Sequence, residues 1–256
     1  MDLVIDSFIC GRDNYGVLIH DQSSGQTAAI DAPDGDAILA RLEQRGGGLD
    51  FLLITHHHHD HTDGNLVLKQ ATGCLIIGPA KEADRIPGID RSVSEEENVT
   101  LGEHRFKVIE TPGHTTGHVV YWSREQKLAF VGDTLFSLGC GRVFEEPLPT
   151  MWRSLAKLAQ LPRETLVYCG HEYTEANGRF AITIEPHNLD LQARIDEVRR
   201  LREGGEMTLP TTIGQERATN PFLRADKPRL KWALGMADAA PAEVFSELRR
   251  RKDTFA

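Results

Sequence analysis

The chain is poor in cysteine. Cys10, Cys74, Cys140 and Cys169 are scattered and form no CxxC pair. This weighs against a disulfide framework and predicts four reduced thiols in a reducing compartment, none of them a nucleophile. Long apolar runs are missing as well. The longest clean one, Phe51–Ile54, falls far short of the ~18–20 residues of a membrane span. The first six residues offer no basic segment and no apolar stretch of signal-peptide length, so the expected address is the cytoplasm, away from membranes. Basic charge is in deficit. With 29 Lys and Arg against 38 Asp and Glu the net charge is −9, which argues against nucleic acid as a partner. The deficit is uneven, because residues 190–256 carry 13 basic and 11 acidic side chains. Repeats, low-complexity tracts and long linkers are absent too.

What remains is ordinary globular composition, 40% hydrophobic and 26% charged over 256 residues, enough for one large domain or a large and a small one. Up to residue 171, short apolar runs alternate with Gly- and Asp-rich turns. Tyr15–Ile19, Thr27–Ile30, Leu49–Thr55, Cys74–Ile77, Arg105–Ile109, Val119–Trp122, Leu128–Val131 and Thr165–Cys169 read as strands. Asp36–Arg45 and Leu148–Leu161 read as amphipathic helices. Beyond His171 the strand patterns vanish. A helix capped by Asn188 carries Leu191, Ile195, Val198 and Leu201 and ends at Gly204-Gly205, and Pro241 opens a last helix. The pattern predicts a layered α/β sandwich over residues 1–171 and a mainly helical domain over 172–256.

Five of the eleven histidines fall within Thr55-His56-His57-His58-His59-Asp60-His61-Thr62, directly after the apolar run Phe51–Ile54. A loop held at a strand exit is a good mount for ligands. A purification tag would lie at a chain end and contain no aspartate. Imidazole and carboxylate suit zinc or iron. His56 and His58, two apart in extended backbone, point the same way, whereas Asp60 and His61 diverge. That spacing can feed two metals. His57 and His59 point elsewhere. His114 in Thr111-Pro-Gly-His114, Asp133 in Gly-Asp-Thr and His171 in Cys-Gly-His-Glu each follow a glycine at a strand exit and are candidate completing ligands.

His-x-His-x-Asp-His followed by separate His, Asp and His resembles the metallo-β-lactamase superfamily. Thr111–Thr115, Gly132–Phe136, Gly139–Arg142, Gly170–Thr174, Asn220–Arg224 and Arg249–Lys252 with Asp253 and Phe255 narrow the likeness to its glyoxalase II branch, the hydroxyacylglutathione hydrolases. The resemblance implies a four-layer αβ/βα sandwich with a helical C-terminal domain. It also implies a two-metal site and hydrolysis of S-(R)-lactoylglutathione to glutathione and D-lactate. For the two divalent metals the histidine and aspartate ligands lead us to expect zinc first, with iron or manganese also acceptable, and the chain is expected to be a monomer. One metal would be held by His56, His58 and His114, the other by Asp60, His61 and His171, and Asp133 would bridge them. Asp60 would also accept a hydrogen bond from the attacking oxygen. Arg142, Phe144, Tyr173, Arg249 and Lys252 would meet glutathione. Phe144 stands where some members have tyrosine, Asp63 replaces a common glycine, and Glu146-Pro147 replaces a Gly-Thr step. Rival readings keep the fold as a persulfide dioxygenase or lactonase, or reduce it to a non-enzymatic metal- or glutathione-binding module.

Overall fold

The computed structural model describes residues 3–255. Met1, Asp2 and Ala256, the extremes of the two expected domains, lie outside the described residues. The chain forms two compact units, one of residues 1–110 with 116–132 and the other of 111–115 with 133–256.

The first unit contains a six-stranded sheet whose spatial order follows the sequence: Leu3–Cys10, Asn14–Asp21, Thr27–Ile30, Phe51–Leu53, Leu75–Pro79 and Arg91–Val93. The first three strands are antiparallel and the rest run parallel, so Ile30, Leu53 and Ile77 align across the sheet. Parallel neighbours need a crossover, which the helices Gly35–Arg45 and Asn65–Thr72 supply. Asp34 caps the first helix by accepting from the Ala37 amide, and Gly46, at φ 66°, ends it where the glycine run predicts. Ile38, Leu42, Leu52, Ile54, Leu68 and Ile76 meet in a buried cluster. Four antiparallel strands, Asn98–Leu101, His104–Glu110, Val119–Ser123 and Leu128–Gly132, complete the unit.

All eight predicted strands are present. Leu3–Cys10, Arg91–Val93 and Asn98–Leu101 carry no clean apolar signal, because their residues are mostly only half buried or alternate with exposed ones.

The second unit contains the hairpin Leu135–Phe136/Gly139–Cys140 and the strand Leu166–Cys169. Its main helices are Leu148–Leu158, Thr174–Ile184, Leu189–Glu203 and Pro241–Asp253. The helix expected to run to Leu161 stops at Leu158, though Leu161 stays buried. Pro149 is tolerated because the first helical turn needs no intrahelical donor there. Asn188 caps its helix by accepting from the Leu191 amide. Strands do not vanish entirely after His171, since Thr211–Thr212 pairs with Leu166–Val167. Two residues are too short for any periodicity to register.

Candidate metal centre

In the first unit the chain leaves the strand Phe51–Leu53, bends at Thr55, and enters the one-turn helix His59–Thr62 after His58. The expected divergence of Asp60 and His61 does not hold, because both lie in this one-turn helix and Asp60 Oδ2 comes within 3.7 Å of His61 Nε2. His56 and His61 are buried. His56 Nε2 lies 3.2 Å from His58 Nδ1, and its own Nδ1 meets Thr55 Oγ1 at 3.0 Å. Two imidazole nitrogens this close share a proton or a cation. His61 Nδ1 meets Asp31 Oδ2 at 2.8 Å, leaving its Nε2 3.7 Å from Asp60 Oδ2. Asp60 itself is exposed, and Asn14 donates to its carbonyl at 3.0 Å.

Two buried carboxylates hold this loop from behind. Asp31, at φ 56°, accepts from the Thr55 amide at 2.7 Å, from the Thr55 hydroxyl at 2.8 Å and from His61. Glu82 accepts from the His57 amide at 2.7 Å, meets the His57 ring at 2.8 Å, and accepts from the Gly117 amide at 2.8 Å. His57 thus supports the loop, as its direction predicts, while His59 is exposed beside Asp63. His118 lies outside every motif singled out above, yet it is fully buried and stacks on His56 at 4.8 Å. Its only sequence signal is its place directly before the strand Val119–Ser123.

In the second unit, one carboxylate oxygen of Asp133 lies 3.4 Å from Nε2 of both His114 and His171. All three are buried. His114 follows Gly113, whose φ of 153° favours glycine and where a Cβ would crowd Met151 Sδ at 2.7 Å. The His114 ring is turned by its Nδ1 donating to the Arg142 carbonyl at 2.8 Å. His171 stacks flat on Tyr173 at 4.8 Å, with Phe136 edge-on to both rings. Phe144 is exposed, its ring 5.3 Å from His114. Arg142 is mostly exposed, 4.0 Å from Asp253.

Lys252 is half buried and donates to the Ala176 carbonyl at 3.2 Å. Burial first, then the charges of Arg249, Arg179 and Arg142, hold its pKa below the ordinary lysine value. Arg249 lies in the same helix as Lys252. It is only 3% exposed and is engaged by Cys140 and Asp253. All four cysteines are free and buried. Burial pushes the Cys140 thiol up to about 11 and Cys169 further, so neither is a thiolate at neutral pH.

These donors fit a transition-metal centre. His61 and His114 each have one ring nitrogen tied to a carboxylate or carbonyl, which fixes the tautomer and leaves Nε2 as a lone-pair donor. Within the first unit, Asp31, His56 and His61 offer ligand atoms that all lie within 4.8 Å of one another.

Comparison with known proteins agrees. Residues 3–171 match the family model described as the metallo-beta-lactamase superfamily, and residues 172–255 match that of the hydroxyacylglutathione hydrolase C-terminus. A hydroxyacylglutathione hydrolase of Chelativorans sp. (strain BNC1) is 52% identical over 255 residues, covering 100% of both chains. One of Brucella anthropi is 55% identical over 253 residues, 99% of this chain and 97% of the relative. Among solved structures, ETHE1 from Myxococcus xanthus shares the fold with a TM-score of 0.68 at 24% identity, over 97% of each chain. The structure of TTHA1623 in a di-iron-bound form has a TM-score of 0.61 at 22% identity, over 86% of this chain and 99% of that one. The sandwich and helical C-terminal region are thus those of the metallo-β-lactamase fold, and the chain belongs to the hydroxyacylglutathione hydrolase family of that superfamily.

Proposed function

We propose that this protein hydrolyses S-(R)-lactoylglutathione and related 2-hydroxyacyl-glutathione thioesters, the second step of methylglyoxal detoxification, with two divalent metal ions, zinc foremost. One observation carries the reading: from end to end the chain matches proteins named hydroxyacylglutathione hydrolase at 52% identity or above. His56, His58 and His114 would hold one metal, Asp60, His61 and His171 the other, and Asp133 would be shared. The equal 3.4 Å approach of Asp133 to His114 and His171 supports that sharing. Bound there, two cations supply Lewis acidity, which brings the pKa of water toward ~7 and stabilises developing oxyanion charge.

The chain's own residues do the rest. Asp31 and the Arg142 carbonyl keep His61 and His114 in the tautomer that makes Nε2 the ligating nitrogen. Asp60 accepts a hydrogen bond from the attacking water and aims its oxygen at the thioester carbon. The carbon–oxygen bond forms, the water's protons pass to solvent, and the carbon–sulfur bond breaks with its electron pair on sulfur, so glutathione leaves as a thiolate and no protein acid is required. Lys252 and Arg142 face the carboxylates of the tripeptide. Tyr173 and Phe144 border it, and Phe144 offers contact area without a phenol hydrogen bond. Residues 1–171 form the catalytic domain and 172–256 the glutathione-binding one.

No helix among the described residues is long and apolar enough to cross a membrane. We assign the protein to the cytoplasm as a monomer, on its buried reduced thiols and the absence of any motif for a macromolecular partner. The dioxygenase and lactonase readings lose ground because residues 172–255 match the hydrolase C-terminus.

The test is loss of thioester absorbance with S-(R)-lactoylglutathione on protein whose metals have been counted. Turnover with about two metals per chain, abolished by a chelator, is expected. Full metal loading without turnover would overturn the reading. Asp60→Asn with unchanged metal content and unchanged rate would remove the role given to Asp60.

A further inference from the structure

The helix His59–Thr62 is a single turn, so it satisfies few of its own backbone groups. The Asp63 amide donates to the His59 carbonyl at 2.8 Å, and the Gly64 amide donates away from the turn, to the Ala32 carbonyl at 2.8 Å. Those are the two amides that helical geometry would offer to the Asp60 carbonyl. The His61 carbonyl is tied back as well, accepting from the Ala32 amide at 2.8 Å. Asp60 stands on the open side of the turn. Its side chain is 53% exposed, whereas His56, His58 and His61 are buried or half buried. A carboxylate in water keeps its rotamer freedom unless a neighbour removes it.

Asn14 is such a neighbour. Its side-chain amide donates to the Asp60 carbonyl at 3.0 Å, in place of the helical donor, and the same nitrogen lies 3.5 Å from Asp60 Oδ2. A carbonyl oxygen can only accept, so the Asn14 amide must present its nitrogen, which carries two hydrogens. The short bond fixes the backbone of Asp60, and the longer approach draws its carboxylate by charge. Oδ2 is also the oxygen 3.7 Å from His61 Nε2, so Asn14 acts on the side of the carboxylate that faces a candidate ligand.

The mount behind Asn14 is rigid. Asn14 opens the strand Asn14–Asp21 opposite Cys10, after a short turn begun by Gly11 at φ 67°. On the same face of this strand pair, Asp6 meets Arg41 and Arg45 at 2.7 and 2.9 Å, and Leu18 enters the core. Phe8 pairs with Gly16, where a Cβ would come within 2.6 Å of the Phe8 ring. A one-residue slip would turn all of these to the other face, and Asn14 with them.

We propose that Asn14 is a positioning residue for Asp60: by holding its carbonyl and one carboxylate oxygen, it aims the exposed ligand of the loop at its metal. This role rests on the reading of Asp60 as a ligand in the proposed function. It predicts an effect on one metal of the two.

Zinc-loaded wild type, Asn14→Leu, Asn14→Ala and Asp60→Asn are titrated with a competing chelator, and the zinc remaining per chain is counted at each step. Leucine keeps the shape of asparagine without its donor, and alanine keeps the measurement available should the leucine variant not fold. In both Asn14 variants one zinc should leave at a chelator concentration ~10–100-fold lower, the usual cost of removing a partner behind a ligand, while the other leaves as in wild type. Wild-type release of both metals from the Asn14 variants, with Asp60→Asn losing one early, would overturn the proposal and leave Asp60 a ligand. Early release of both metals together would also overturn it, because it would mark a general loosening of the loop. If Asp60→Asn itself holds both metals as wild type does, the ligand reading falls and the role of Asn14 falls with it. Wild-type turnover of the thioester decides the proposed function separately, since the chelator comparison needs metal but no substrate.

Discussion

The two units furnish ligands in opposite ways. In the first, four candidate ligands come from the six consecutive residues His56–His61, and two buried carboxylates, Asp31 and Glu82, brace the segment. In the second, His114, Asp133 and His171 come from three separated stretches, and their neighbourhood is held by backbone carbonyls and by side chains from distant helices. A contiguous site needs a rigid strand end and a charge behind it. A dispersed site needs every contributing loop pinned independently. The first unit should therefore fail at single carboxylates, and the second should soften by degrees.

The largest expected effect is at Asp31. Asp31→Ala strips the Thr55 amide, the Thr55 hydroxyl and His61 Nδ1 of their acceptor at once, and an unsatisfied buried donor costs ~1–3 kcal/mol. Denaturant unfolding should show a loss of about 3 kcal/mol or more, and chelator competition a ~10–100-fold loss of metal affinity. Retention of both would break the contrast between the units.

Glu82→Ala should come next. It frees the His57 and Gly117 amides, so stability should fall by about 2–4 kcal/mol, with metal affinity reduced less than by Asp31→Ala, since Glu82 touches no candidate ligand through its ring. Equal losses of metal affinity in the two variants would show that the loop moves as one body.

In the second unit, Lys252→Ala should raise KM for the glutathione thioester several-fold with kcat nearly kept, the mark of lost uniform binding. The pH profile sharpens this. Lys252 titrates below the ordinary lysine value because it is half buried and neighboured by Arg249, Arg179 and Arg142, with Asp253 opposing them. The cation is therefore present at low pH and lost as pH rises, and wild-type KM should climb at a lower pH than a free lysine would dictate. Lys252→Ala should lack that limb, and persistence of the limb would assign it to another group.

The smallest effect concerns the thiols. With Cys140 raised to about 11 by burial, its thiolate fraction at neutral pH is more than ~100-fold below that of a free cysteine. Iodoacetamide should leave native protein unmodified and fully active, and should label all four cysteines after unfolding. Labelling of Cys140 in the native state would mean that the hairpin opens.

Much of this was legible before any coordinates. The strand Phe51–Leu53, the helix Gly35–Arg45 and the cap at Asn188 follow from local patterns that the backbone obeys wherever it is placed. His118 and Asp31 were not legible, since a lone histidine or aspartate beside a strand carries no periodic or motif signal. Arg249 was legible as a helix residue near the chain end, but its bonds to Cys140 and Asp253 were not. Helical spacing says which residues share a face and nothing about what that face meets.

The sequence by itself determined the hydrolase family, eight of the strands and the candidate ligand chemistry, because these depend on residue identity and short-range spacing. Only the tertiary structure decided which nitrogen of each histidine is tied back, which carboxylates brace the loops, and that Arg249 points inward to Cys140. Those outcomes depend on contacts between residues up to 109 positions apart, where burial makes each unpaired polar group costly and so selects one arrangement.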